Sequence, residues 1–172
     1  KTASSAFTID GLIAGVSNDN IIGLAQKGGN LYMMNSNEQL FESDDNGTSW
    51  TEITNNLASL SVNISNFNIS TQGVYTATSA DGTIAVSTNG VTWLDKGANV
   101  TLTGATSIHF NNNYVMIGGD NGLVSVINKT QNDPWQLIGA GSGAISTGKP
   151  DVTDVKYVDD TKVIVATSNN GV

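Results

Sequence analysis

Short apolar runs closed by polar turns follow one another along the whole chain. The stretches IIGLAQKGGN, FNISTQG, TSIHFNNN and VTDVKYVDD alternate apolar and polar positions and end in Gly, Asn or Asp. That is the signature of a half-buried β-strand running into a turn. Each is followed by a more β-rich run with its own turn: LYMMNSNEQ (31–39), VYTATSADG (74–82), YVMIGGDNG (114–122) and VIVATSNNG (163–171). Apolar residues at helical i, i+3, i+4 spacing are absent, so the pattern predicts strands throughout.

A third feature keeps the same step. SDDNGTSW at 43–50 recurs one residue shorter as STNGVTW at 87–93, and in degenerate form as INKTQNDPW at 127–135. Trp50, Trp93 and Trp135 are thus 43 and 42 residues apart, and the residue 43 before Trp50 is Phe7. Each unit reads strand, turn, strand, turn, strand, box, strand. Four short strands in about 40–45 residues is the period of a propeller blade. The box residues have a mechanical reading: Asp45 can accept hydrogen bonds from N–H groups of its own turn. Gly47 takes a conformation that a Cβ disfavours. Ser43 can close the turn with its hydroxyl, and Trp50 buries its ring while its N–H seeks a partner.

The units resemble Asp-box (BNR) repeats, whose pattern is S-x-D-x-G-x-[T/S]-W. Ser43, Asp45, Gly47, Ser49 and Trp50 match every defined position. Ser87, Asn89, Gly90, Thr92 and Trp93 match with Asn for Asp and one residue lost, and the third copy keeps Trp135. The resemblance implies an all-β propeller, or propeller segment, of about four four-stranded blades. They would form one domain over 1–172, with blades at 11–53, 54–97, 98–139 and 140–172 plus 1–10. It also implies that the boxes are structural staples lying away from the binding face. A four-bladed ring whose last blade draws strands from both ends, and an arc of a larger propeller, both fit this reading.

Charge narrows the partners. The 172 residues carry 7 basic side chains, all Lys, against 15 acidic ones, for a net charge of −8. Such a chain cannot build the basic surface that nucleic acid requires, and an anionic membrane is disfavoured for the same reason. No apolar run approaches the roughly 20 residues of a membrane span. There is no Cys, hence no disulfide or thiolate chemistry. The chain opens on Lys1 without a visible signal peptide, as expected of a processed or excised polypeptide. Sequons at Asn46, Asn63, Asn68, Asn99 and Asn128 read as a product of Asn-rich composition.

Candidate chemistry is thin. Sialidases, which belong to the resembling family, hold a substrate carboxylate with an arginine triad, and this chain has no Arg; lysine does not replace that fork. A glycan-active hydrolase needs two carboxylates across a cleft. Asp10, Asp19, Glu38, Glu42, Asp81, Asp95, Asp120, Asp151, Asp154, Asp159 and Asp160 are available, but all lie in or near expected turns, where Asp is at home. GAISTGKP (143–150) imitates a phosphate loop, yet Pro150 stands where the magnesium-binding hydroxyl belongs and a strand follows, so it reads as a linker. His109, the single histidine, sits between Ile108 and Phe110 and reads as packed or channel-facing. Glu42, Asp44, Asn46 and Gly47 echo a calcium loop, but its twelfth position is Ile53; no cofactor is expected, with calcium as the one alternative. Tyr32 and Tyr75 fall at matching second-strand positions, as a repeated packing layer would place them; Phe41, Phe67, Phe110, Tyr114 and Tyr157 are expected in the core.

The expectation is a recognition module outside the cell, on a cell surface or on a virion. Its ligand would be a carbohydrate or a protein held at a loop face, with no catalysis. The alternatives are a glycan-active hydrolase using paired carboxylates, in an incomplete chain, and a structural assembly domain associating with further blades or identical chains.

Overall fold

A computed structural model describes residues 20–60, 63–96, 104–111, 114–120, 124–128, 136–138, 151–159 and 161–168. The first sheet comprises β1 (Ile21–Lys27), β2 (Asn30–Asn35), β3 (Leu40–Ser43) and β4 (Thr51–Ile53). The second comprises β5 (Ile64–Ile69), β6 (Tyr75–Ser79), β7 (Ile84–Ser87) and β8 (Leu94–Asp95). The third comprises β9 (Ser107–Phe110), β10 (Tyr114–Gly118), β11 (Val124–Asn128) and β12 (Gln136–Ile138), and the fourth β13 (Val152–Tyr157) and β14 (Val163–Thr167). Every pairing is antiparallel and follows chain order, so each sheet is a meander. The chain is all-β, as its alternating runs predict. One short helical turn, a 3-10 segment at Leu57–Leu60, interrupts the connection between the first two sheets. Asn55 starts it by accepting the Leu57 N–H at 2.8 Å, the usual work of an Asn at a helix entry.

The first strands of successive sheets lie side by side: β1 beside β5, β5 beside β9, β9 beside β13. The sheets therefore fan out from a common inner row, as propeller blades do. Approach along that row is close. A Cβ on Gly23 would stand 2.7 Å from the Phe67 carbonyl oxygen, so glycine is required there. A register shift near the start of the inner strand recurs, between Ile21 and Gly23, Ile64 and Asn66, and Val152 and Asp154. Such bulges add the local twist that splays adjacent blades.

The core lies between sheets. Tyr32, Met34 and Leu40 of the first sheet pack with Phe67, Ile69, Tyr75 and Trp93 of the second. Ile84 and Val86 pack with Ala105, Val115 and Ile117 in the next seam, and Met116 packs with Val152 and Val155 in the last. Residues of the middle strands are thus buried on both faces, which explains why their runs are more apolar than simple alternation.

The pairing register corrects one expectation. Lys27 pairs with Asn30 across a two-residue Gly-Gly turn, whereas the second sheet closes through the Ser70 N–H to Val74 carbonyl bond, one residue longer. Ala25 pairs with Tyr32, and its counterpart Asn68 pairs with Thr76; Ile69 pairs with Tyr75 as Gln26 does with Leu31. The structural counterpart of Tyr32 is therefore Thr76. Tyr32 and Tyr75 project from opposite faces of their own sheets and meet in one seam.

Candidate functional site

Connections β1–β2 and β3–β4 of a meander emerge at one end of the sheet, and β2–β3 at the other. The 43–50 and 87–93 turns share the first end with the β5–β6 and β9–β10 turns.

In the first of these turns the Ser43 hydroxyl donates to Asp45 Oδ1 at 2.8 Å and accepts the Gly47 N–H at 2.8 Å. Asp45 also accepts the Ser49 N–H on Oδ1 at 2.9 Å and the Ser49 hydroxyl on Oδ2 at 2.7 Å. Trp50 Nε1 donates to the Gly47 carbonyl at 3.2 Å. Gly47 has φ 87° and Asn46 φ 60°, the left-handed region where Gly and Asn cost least. The Ser49 N–H, then the Ser49 and Ser43 hydroxyls, hold the Asp45 carboxyl down at about 2. Both of its oxygens are occupied within the turn.

The shorter turn repeats the scheme with an amide. Ser87 donates to Asn89 Oδ1 at 3.0 Å and accepts the Gly90 N–H at 2.9 Å, while Asn89 Oδ1 accepts the Val91 and Thr92 N–H groups at 2.9 Å. Trp93 Nε1 donates to the Gly90 carbonyl at 2.9 Å. One acceptor oxygen suffices here, so Asn replaces Asp without loss. Trp135 lies outside the described residues, as do Phe7 and the 143–150 stretch. Ser79 and Asp81 bond in the same way in the β6–β7 turn, where Ser79 also accepts the Thr83 N–H.

Asn56 was not legible as a functional position. Asn56 Oδ1 accepts the Trp93 N–H at 2.7 Å, and Asn56 N–H donates to the Val91 carbonyl at 3.2 Å. The connection leaving the first sheet thereby clamps the turn of the second. The Asn55–Asn56 pair, one residue beyond β4, was the available signal.

A polar and aromatic group sits at the same end of the first seam. Tyr32 hydroxyl and Asn30 Nδ2 both donate to Glu42 Oε1 at 2.7 Å. Lys27 Nζ lies 4.4 Å from the Tyr75 ring centroid and 3.3 Å from its hydroxyl. The Tyr32 hydroxyl, followed by the Asn30 amide, lowers the Glu42 carboxyl, while burial first and Glu42 second raise the Tyr32 hydroxyl well above its usual range. Sequence reading passed over Lys27 and Asn30, which flank a Gly-Gly turn.

The other candidate carboxylates are dispersed. Asp81 and Asp159 are lowered by bonds within their own turns, to Ser79 and to Thr161. Glu38 adopts φ 65° and is raised by burial. Asp154 accepts the Val155 N–H at 2.8 Å. Asp10, Asp19 and Asp160 lie outside the described residues. Among the described residues no three His, Cys, Asp or Glu converge as a metal site, and no helix is long and apolar enough to cross a membrane.

His109 does face a neighbour. Its Nδ1 accepts the Tyr157 N–H at 3.1 Å, joining β9 to β13. Burial, then the Lys156 charge, lowers its pKa.

At the turn-bearing end, a small cleft between the second and third sheets is lined by Ser70, Gln72, Val74, Asn111, Tyr114 and Val115. Tyr114, expected in the core, opens β10 and is exposed. Val158 and Val163, which bracket the β13–β14 turn, are exposed at this end too.

No protein-family model matches the chain, and no curated protein matches it. Solved structures do. YCF48 bound to a D1 peptide aligns with TM-score 0.64 at 12% identity over 91% of this chain and 48% of that one. YCF48 from Cyanidioschyzon merolae gives 0.65 at 14% identity, over 91% and 56%. PorZ, an essential bacterial surface component of the type-IX secretion system of Porphyromonas gingivalis, gives 0.62 at 18% identity, over 89% and 19%. The chain thus spans about half or less of the length of these structures. At these identities the likeness concerns the fold: the chain has the architecture of a β-propeller.

Proposed function

We propose that this chain is a recognition module built of Asp-box-type blades, which binds a segment of a protein partner outside the cell, on a cell surface or on a virion. The observation that carries this is the cleft between the β5–β6 and β9–β10 turns. Exposed Tyr114, with Gln72, Asn111 and Ser70 beside it and Val74 and Val115 as apolar wall, offers ring area and amide hydrogen bonds together. Aromatics of this kind dominate protein recognition because they bury much area at little cost in conformational entropy. The exposed Val158 and Val163 extend an apolar surface at the same end. That end also bears the 43–50 and 87–93 turns, so the binding face proposed here is not the one the Asp-box resemblance implies. The YCF48 structure holds a D1 peptide, which supports a peptide reading of a related fold. The net charge of −8 favours a partner that is not strongly acidic.

Among the described carboxylates, Asp45, Asp81 and Asp159 bond within their own turns and Glu42 is held by Tyr32 and Asn30, so these observations do not favour the hydrolase reading. The test is a selection from a random peptide display library, run beside a glycan array, on the wild-type chain and on Tyr114→Ala. Peptides enriched by the wild type and lost on Tyr114→Ala support the reading. Glycan binding that depends on Tyr114 moves the ligand class, and enrichment indifferent to Tyr114 rejects the site.

A further inference from the structure

Glu42 stands at the mouth of the first seam. It pairs with Tyr32 across the β2–β3 ladder and so shares the face that packs on the second sheet. The hydroxyl of Tyr32, itself 6% exposed, and the Asn30 amide both donate to Glu42 Oε1 at 2.7 Å. A carboxylate oxygen has two lone pairs, so Oε1 is full. Oε2 accepts no hydrogen bond among the described residues. Asp45 differs, because both of its oxygens are used inside its own turn.

No cation of the described residues closes on this carboxylate. The Tyr32 hydroxyl first and the Asn30 amide second hold it below its usual range, and the Lys27 charge adds to this. The Lys27 ammonium itself is turned elsewhere, to the Tyr75 hydroxyl at 3.3 Å, the Tyr75 ring and the Gly73 carbonyl at 3.5 Å. Glu42 is thus an ionised group fixed by two donors, with one oxygen open. The adjoining Gly-Gly turn is uncovered: a Cβ on Gly28 or Gly29 would meet nothing within 4 Å. The Tyr114 cleft is close by, since Gly73, which accepts Lys27, follows Gln72 of the cleft wall. The β5–β6 turn lies between the two.

We infer that Glu42 Oε2 receives a lysine ammonium of the same partner segment that enters the Tyr114 cleft, an inference that rests on the peptide reading above. The open oxygen selects lysine over arginine. A guanidinium fork spans both oxygens of a carboxylate, and Oε1 is already taken. An ammonium can place its donors on Oε2 alone. The 15 acidic against 7 basic side chains draw a cationic segment toward this chain.

Random-peptide selection on the full chain tests this, run on the wild type, Glu42→Gln and Tyr114→Ala. Glu52→Gln, at an exposed position of the same sheet, is the control that removes an equal charge. The wild-type and Glu52→Gln pools are expected to carry Lys at a constant distance from the residue that needs Tyr114, and the Glu42→Gln pool is expected to lack it. For one enriched peptide, Lys→Gln in the peptide and Glu42→Gln in the chain are each expected to weaken binding about fivefold, as for an exposed ion pair. Together they are expected to cost no more than either alone. On the unaltered chain, the Glu42 carboxyl resonance is expected to move with the Lys peptide and not with its Gln form, so the contact is read even if Glu42→Gln melts early. Additive losses overturn the inference. So does Lys enrichment that is absent from the wild-type pool or survives Glu42→Gln, or Arg enriched as strongly as Lys; Tyr114-dependent binding then still stands. A wild-type selection that enriches nothing, or peptides indifferent to Tyr114, overturns the recognition reading and this inference with it.

Discussion

Tyr32 and Tyr75 meet edge to face across the first seam, with ring centroids 5.5 Å apart and planes at 88°. Tyr75 in turn meets Trp93 at 6.2 Å and 73°, so three aromatic rings run from β2 through β6 to the turn that follows β7. Such edge contacts add about 0.5–1.5 kcal/mol each beyond the area they bury. The Tyr32 hydroxyl ties the row to Glu42.

Tyr32→Phe keeps the ring and removes that bond. Hydrogen bonds to a charged group contribute about 1.5–3 kcal/mol, and the half-exposed carboxylate places this one at the lower end. Urea denaturation is expected to show the loss. The Glu42 carboxyl, no longer held down by the hydroxyl, is expected to titrate higher by NMR. An unchanged Glu42 titration contradicts the assigned bond.

Trp93→Ala is expected to cost about 3–5 kcal/mol, the range for a buried aromatic truncated in a core. The same change at Trp50 is expected to cost roughly half as much, in proportion to the area removed from water. Paired denaturation curves decide. Equal losses would show that the two turns support the sheets alike despite their different burial.

Thr76 and Thr78 are fully buried, and their hydroxyls have no hydrogen-bond partner among the described residues. Their neighbours across the ladder are Val86 and Ile84. Thr76→Val and Thr78→Val keep shape and β-branching while removing an unsatisfied group. Each is expected to stabilise the chain by about 1 kcal/mol, read as a rise in thermal midpoint. A fall would reveal a partner for the hydroxyl.

His109 makes the seam between the third and fourth sheets sensitive to acid. Its folded pKa is lowered, so the unfolded chain takes up the proton first. Its contribution is complete above the unfolded value of about 6.5 and is lost as pH falls from there through the folded value. Protonation also sets an Nδ1–H against the Tyr157 N–H that it accepts when neutral. Stability measured across this range is expected to fall on the acid side, and less steeply in His109→Gln. Identical slopes would remove His109 from the account.

The architecture was legible because period-2 alternation is a local signal and the Trp50–Trp93 spacing repeats it at a constant step. The 43–50 turn was legible for the same reason: Ser43, Asp45 and Gly47 satisfy one another within a few residues, and the structure gives each the partner its chemistry predicts. What escaped depends on register. One extra residue in the β5–β6 turn shifts every later position of that hairpin, so Tyr75 leaves the place that counting from Tyr32 assigns it. Asn56 acts on Trp93, 37 positions away, and Lys27 on Tyr75, 48 away. Periodicity carries no information on such pairs. Tyr114 was expected inside because aromatics at strand positions usually are, but it opens β10 and is exposed, whereas Tyr75, which opens β6, is covered by Tyr32 and Trp93.

The most direct test of the recognition account is amide chemical-shift mapping with a peptide enriched by the wild-type chain. The account predicts perturbations centred on Gln72, Asn111 and Tyr114, extending toward Val158. Perturbations confined to the opposite end, at Ser36–Gln39 and Ala80–Thr83, would contradict it and place the binding face on the other side of the blades.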